Sequence, residues 1–320
     1  MNTLKEFDAL LTKAQNLAFE QKRAALETIY DKFTREGDVS EEDYRSFDWG
    51  AGLGQMAFTP EGGASHLDSF TPGTERIVKF KKFTISVVTP EEIREAMRNN
   101  GRVKKDKVKR FAKITEECME SANWTREVIT ADFILRGNST TVTNTWPGTF
   151  RDGLALNSTS HTLLKSASTW SNLQTAAAMT QLAILDGLAM LANVPDETGR
   201  PQGAIGDVYL IHGRFNMFRV TEILKTMTTP DTANLTVNPL AMKMQGFGRI
   251  IPILNPYLGD TFSGWALVDA KNHSLTRFEK QPPKLMSDTE IRTGNFVNRC
   301  MLRYAIDADS AKGVLLNAGL

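Results

Sequence analysis

The chain has 320 residues, with 38 Lys and Arg against 37 Asp and Glu and a net charge of +1, so no global attraction to nucleic acid or to an anionic membrane is implied. Hydrophobic residues make up 41% and charged residues 23%, the balance of a folded soluble protein, and no apolar run approaches the ~20 residues that cross a bilayer. The opening Met1-Asn2-Thr3-Leu4-Lys5-Glu6-Phe7 lacks the basic-then-apolar order of a secretory signal, and Cys118 and Cys300 form no Cys-x-x-Cys pair, which places the chain in a reducing cytoplasm.

Residues 2–35 read as a helix: Leu4, Phe7, Leu10, Leu11, Ala14, Leu17 and Ala18 recur at three- and four-residue steps, and Gly37 is the expected stop. Such a helix, ahead of any domain core, packs either on its own body or on a neighbour. Residues 50–88 read as a long hairpin. Met56 and Phe58 alternate on one arm, and Phe83, Ile85 and Val87 on the other. Between them lie turn-formers and poor core material, including Pro60, Gly62, Gly63, His66, Pro72 and Gly73. An extended arm with this tip cannot bury itself, so it is expected to lie across another subunit.

The strongest helix spans 103–136, with Phe111, Ile114, Cys118, Ala122, Ile129 and Phe133 on one stripe and Gly137 at the C-cap. Its length suits a spine rather than one layer of a compact core. From Asn138 to Ser160 the chain is turn-rich, and after it helices and strands alternate. Leu173, Ala176, Leu182, Leu185 and Leu188 mark a buried helix, Val208–Ile211 a strand, and Phe215, Phe218 and Leu224 a following helix. Arg249–Leu254 and Trp265–Val268 are further strands. Cys300, Leu302, Tyr304 and Ile306 alternate with Met301, Arg303 and Ala305, the pattern of a long strand with two distinct faces. There is no fixed-period repeat and no low-complexity tract.

Motifs for chemistry are sparse. Gly50-Ala51-Gly52-Leu53-Gly54 has neither the preceding strand, the following helix nor the Gly-Lys-Ser/Thr of a phosphate loop. His66 and Asp68 offer two metal ligands where a structural site needs four. His161, His212 and His273 have no ligand spacing. A hydrolase triad around Ser160, His161 or His212 is a rival that order alone does not exclude, although no Gly-x-Ser-x-Gly elbow occurs. One cluster departs from an ordinary solvated helix face. Arg102, Lys104, Lys105, Lys107, Lys109, Arg110 and Lys113 stand against a single Asp106. Cations near a helix N-terminus oppose its dipole. They suit a surface facing a polyanion, held by phosphate contacts without sequence preference.

The order of elements resembles the tailed-phage major capsid protein family, the Hong Kong-type or Johnson fold, from about Phe47 to the end. Lys79-Phe80-Lys81-Lys82-Phe83 through Thr89-Pro90-Glu91-Glu92-Ile93 is similar to that family's exit from its extended loop. Asp152-Gly153-Leu154-Ala155-Leu156 with Ser158–His161 resembles a stretch of Mu-like major head subunits. Val208–Ile211, the Phe215–Leu224 helix, Gly246–Ile253 and Trp265–Val268 follow the order of the axial domain. Arg299–Ala308 with Ala311–Leu316 resembles the closing peripheral strand.

The resemblance implies an α+β fold divided into an N-terminal arm (1–46), an extended loop hairpin (47–88), a peripheral domain with the long spine helix (89–168), an axial domain (169–284) and a closing peripheral strand (285–320). It implies a non-enzymatic shell protein without cofactor or metal, in the virion after assembly in the host cytoplasm. Its partners would be copies of itself in pentamers and hexamers and packaged DNA held without sequence preference. Scaffolding, portal and decoration proteins would be separate, and no membrane is involved. With barely fifty residues ahead of the loop, no cleaved scaffolding segment is expected. The family's Lys–Asn–Glu cross-linking trio has no assignable counterpart. A nanocompartment shell of the same fold, packing an enzyme, is the alternative; the basic run favours DNA.

Overall fold

The computed structural model describes residues 4–39, 44–47, 50–53, 56–59, 61, 65, 67–73, 75–92, 105–143, 145–150, 152–165, 168–200, 205–226, 237–241, 247–290 and 292–320, with backbone alone for 4–11, 14, 47 and 105–112. Helix α1 (Leu4–Ala25) leads through a 3-10 turn (Tyr30–Lys32) into β1 (Arg35–Glu36). A hairpin goes out along β2 (Tyr44–Phe47) and β3 (Gly50–Ala51) and returns along β4 (Thr71–Pro72) and β5 (Arg76–Lys79), followed by β6 (Lys81–Thr89). Then come α2 (Lys105–Leu135), β7 (His161–Thr162), β8 (Thr169–Trp170), β9 (Leu173–Gln174), α3 (Gln181–Ala192), β10 (Val208–His212) and α4 (Met217–Lys225). The chain closes with β11 (Ile250–Leu254), β12 (Trp265–Asp269), β13 (Leu275–Thr289), β14 (Phe296–Ala308) and β15 (Val314–Asn317). One sheet runs β1-β13-β14-β6, the other β11-β10-β12-β15-β9.

Helix α2 is the expected spine, 31 residues long. Its stripe is buried as the periodicity requires: Cys118, Ala122, Ile129 and Phe133 share one core with Cys300, Leu302 and Tyr304 of β14. The side chain of Phe111 lies outside the described residues. The helix ends against aromatic neighbours, the Phe133 ring meeting Trp146 edge-on at 4.8 Å. Gly137 is not a left-handed cap, since it is absent from the positive-φ glycines. It is small for another reason. A Cβ there would stand 2.5 Å from Asn157 Oδ1, and its own carbonyl accepts the Asn157 N–H at 2.7 Å.

The N-terminal helix stops at Ala25 rather than running on to residue 35. The chain leaves the helix to cross the spine. There Ile29 N–H donates to Glu127 Oε1 at 2.6 Å, and Arg126 Nη1 donates to the Tyr30 hydroxyl at 3.0 Å. Arg126 also pairs with Glu279 of β13, and Arg277 pairs with Asp31. Gly37 accordingly extends the strand beside β13, its N–H donating to Arg277 O at 2.9 Å, and does not end a helix.

The hairpin is shorter than the 50–88 expected. Its root is the β2–β5 pair, Tyr44↔Lys79 to Phe47↔Arg76. Residues 81–89 instead pair along β14, because Phe83 and Val87 have a core there to pack against. In the second sheet α3 begins at Gln181, capped by Thr180, whose hydroxyl accepts from Ala183 N–H at 3.1 Å. Its buried face is Ala183, Ile184, Leu188 and Leu191. Leu173 belongs to β9, and Leu182 points outward. On α4 the buried residues are Val220 and Ile223, while Phe215 and Phe218 are exposed. The final strand β15 pairs antiparallel with β12, so residues 314–317 close the second sheet, not the peripheral one.

Strand β13, 15 residues, is the longest among the described residues and runs through position 284/285. Pro282 and Pro283 hide it from a reading by propensity. The strand accommodates them with register shifts between Glu279 and Gln281 and between Gln281 and Lys284.

The arm crossing has a pH signature. Burial pushes the Glu127 carboxyl above its ordinary 4.5, more than the N–H groups of Ile29 and Tyr30 pull it down. The folded state therefore holds this proton more tightly than the unfolded chain, and stability falls as pH rises from 4.5 through the raised value. Thermal melts of the wild type across that window should show this decline, and Glu127→Gln should flatten it.

Candidate assembly surface

The root of the hairpin is fixed to the body by Arg76. Its guanidinium pairs with buried Asp307 at 2.8 Å, donates to Thr149 O at 2.6 Å and lies 4.1 Å over the Phe150 ring. Farther out, Phe70 packs over Gly50, where a Cβ would stand 2.0 Å from the ring. Beyond that point Met56, Phe58 and Leu67 are 96%, 92% and 91% exposed. Of the expected tip residues, Pro72 is exposed and Gly73 half-buried. Pro60, Gly62, Gly63 and His66 lie outside the described residues. One contact was not legible in the sequence. Asp68 Oδ1 accepts from Lys165 Nζ of the same chain at 3.0 Å, which ties the hairpin to the body.

The basic run is only partly placed. Arg102 and Lys104 lie outside the described residues, as do the side chains of Lys105, Lys107, Lys109 and Arg110 on the first turns of α2. Lys113 is exposed. A second outward apolar feature comes from the other sheet. Phe218 is 80% exposed at the start of α4, next to exposed Phe215. The sequence placed a helix through both residues, and its buried positions are Val220 and Ile223.

The rival site around His161 is a structural knot. His161 is buried, stacks on Trp170 at 4.7 Å and meets Asp152 Oδ2 through Nδ1 at 2.5 Å. Its Nε2 faces Leu156 O at 3.2 Å and Asn172 Oδ1 at 3.1 Å. Asn172 completes the knot, its amide donating to Leu156 O, Ala311 O and Val314 O at 2.8–3.1 Å. Burial pushes the Asp152 carboxyl up, but the His161 hydrogen bond, its charge and the Leu154 N–H outweigh it, for a net position below 3.8. His212 is buried, its Nδ1 3.0 Å from Gly213 O, and burial holds its pKa below the usual value. Burial also pushes His273 down to about 4. Among the described residues no group of three His, Cys, Asp or Glu could hold a metal ion, and no helix is long and apolar enough to cross a membrane.

No protein-family model matches the sequence, and no curated protein does. Solved structures do match along almost the whole chain. A virus-like particle from Pyrococcus furiosus aligns over 95% of this chain and 98% of its own, with a TM-score of 0.51 at 9% identity. The procapsid of bacteriophage JBD30 aligns over 99% and 76%, with a TM-score of 0.52 at 13% identity. The mature capsid of bacteriophage PhiM1 aligns over 92% and 87%, with a TM-score of 0.53 at 11% identity. At such identities what is shared is the fold. The chain has the tailed-phage major capsid fold, the Hong Kong-type or Johnson fold, with its arm, extended hairpin, spine helix and two sheets.

The knot fixes the loop between spine and second sheet, and a buried polar group left without its hydrogen-bond partner costs about 1–3 kcal/mol. His161→Ala should lower stability by about 3 kcal/mol in chemical denaturation, since it removes a buried ring as well as its hydrogen bonds, and Asp152→Ala by about 1–3 kcal/mol.

Proposed function

We propose that this chain is the major capsid (head) protein of a tailed bacteriophage, which assembles with copies of itself into an icosahedral shell around double-stranded DNA. The observation that carries this reading is the hairpin. It is built onto a capsid-type body, is rooted by a buried ion pair, and exposes large apolar side chains that its own chain does not cover. An exposed apolar arm of this kind is an association surface. The exposed Phe215 and Phe218 offer a second one, on the sheet corresponding to the axial domain. The protein works by contact, not by catalysis, a reading supported by the carbonyl and amide oxygens that occupy His161 Nε2. Assembly takes place in the host cytoplasm, with scaffolding, portal and decoration supplied by other proteins where they are used.

A nanocompartment shell is the second reading, favoured by the likeness to the Pyrococcus furiosus particle. The basic run from Arg102 to Lys113 supports DNA as the content, since a packed polyanion rewards cations whatever its sequence.

Negative-stain microscopy of the purified chain tests the shell directly. Deleting Gly62 to Thr74 should leave a folded, soluble chain that makes no shells. Normal shells from that deletion would sink the role given to the hairpin. Changing Lys104, Lys105, Lys107 and Lys109 to Gln should leave shells intact but weaken their hold on DNA. Each lost phosphate contact should reduce the log–log salt dependence of retention by roughly 0.9. Unchanged retention would return the run to ordinary surface charge.

A further inference from the structure

Strand β6 follows β14 from Phe296↔Thr89 to Tyr304↔Lys81, while β5, just before it in the chain, pairs with β2 instead. The chain forks at this point, and beside the fork lies a cavity of about 260 Å³. Val78 and Phe83 line it from the two strands, Ile129 from α2, Ile306 from β14 and Pro147 from the segment after the spine. Apolar side chains make up much of this wall. An apolar cavity of ~150 Å³ already accepts a benzene ring, so this one has room for a phenyl ring with a short chain or for a medium-length alkyl chain.

One residue of the wall is out of keeping with the rest. Strand alternation puts Lys81 on the same side of β6 as Phe83 and Val87, which pack against the spine core. An apolar residue is the ordinary occupant of such a position. Here it is a half-buried ammonium, which donates to a neutral acceptor, Thr143 O, at 3.0 Å. Burial pulls its pKa below 10.5, and no neighbouring carboxylate pulls it back. The other charges of the wall do not answer it. Asp307 is already matched by Arg76 at 2.8 Å, and exposed Lys79 adds a further positive charge. A partly desolvated cation beside an apolar cavity favours an anion that brings its own apolar body. A bare phosphate or chloride would lose its hydration against these walls and gain little from them.

We propose that this cavity is a binding site for a small carboxylate with an apolar tail, of the size of a medium-chain fatty acid. Its carboxylate pairs with Lys81, and its tail lies among Val78, Phe83, Ile129 and Ile306. The site is built by a single chain and does not depend on the shell reading. A ligand seated in it touches both the strand leading from the hairpin and the body, so it braces the fork.

The test is isothermal titration of the full-length chain with octanoate, 1-octanol and acetate. Octanoate should bind one site per chain. Octanol, which lacks the charge, should bind about tenfold or more weakly, the difference a charge-assisted hydrogen bond makes. Acetate, which lacks the tail, should not bind measurably. Lys81→Met keeps the length of the side chain and should bring octanoate down to the octanol level while leaving octanol unchanged. Nuclear Overhauser contacts should run from the octanoate chain to the methyl groups of Val78 and Ile129. Should Lys81→Met fold poorly, Val142→Trp replaces it. Val142 lines the cavity and is 69% exposed, so the larger ring should obstruct both octanoate and octanol without lowering the melting temperature. Octanoate binding that survives Lys81→Met, equal binding of octanol, measurable binding of acetate, or contacts elsewhere in the chain would each overturn the proposal. So would an absence of octanoate binding coupled to loss of assembly in Lys81→Met, which would give the ammonium to an acidic side chain of a second copy.

Discussion

The buried stripe of α2 laid along β14 sets the position of everything else. The two elements match in length: 31 helical residues span about 46 Å and 13 strand residues about 44 Å. Helix and strand thus share one continuous core. Every later attachment is made to that pair. The N-terminal segment crosses it at Arg126 and Glu127, the hairpin root is held by Asp307 of β14, and the second sheet hangs from the end of the helix. A change that shortened the stripe would shift all three attachments at once.

The second sheet shares the spine's apolar core through Ile211, Ile253, Ala266, Val268 and Leu316, and polar contacts fix the junction. Asn157 and Asn172 tie the turn-rich segment after the spine to the carbonyls around Val314, and His161 fills the space between them. Buried amides and imidazoles accept few geometries, because a hydrogen bond lost inside the protein has no water to replace it. The junction therefore holds the two sheets in one relation. Adaptability is left to the hairpin and to the outward aromatic residues of α4. A subunit that must make similar but unequal contacts with several neighbours is well served by that division.

Much of this was legible in the sequence. The spine, the long strand 296–308 and the strands of the second sheet follow from apolar periodicity, which reports burial directly. Periodicity failed where other constraints decided. Strand β13 was hidden by its prolines. The α3 stripe was misplaced because the Thr180 cap, not the run of leucines, fixes where the helix begins. The exposure of Phe215 and Phe218 was not readable, because an apolar residue at helical spacing looks the same whether it meets its own core or faces outward. The hairpin was recognised from its turn-formers, but its inner limit depended on long-range pairing of residues 81–89 with β14, which no local pattern records.

The paired prolines of β13 have a mechanical consequence. Proline has no N–H to give a ladder, so Pro282 and Pro283 are tolerable only where the strand already departs from regular pairing. Sliding β13 along β14 by two residues would preserve the inward and outward sides and would otherwise be the easiest slip available to a long strand. It would also carry the prolines into positions where β14 needs a donor and leave the irregular site occupied by residues that do not require it. The bulges thus act as a ratchet pin. In the proposed shell, where neighbours would pull on the hairpin and on the arm, the sheet between them can twist or bend, but its strands keep their register.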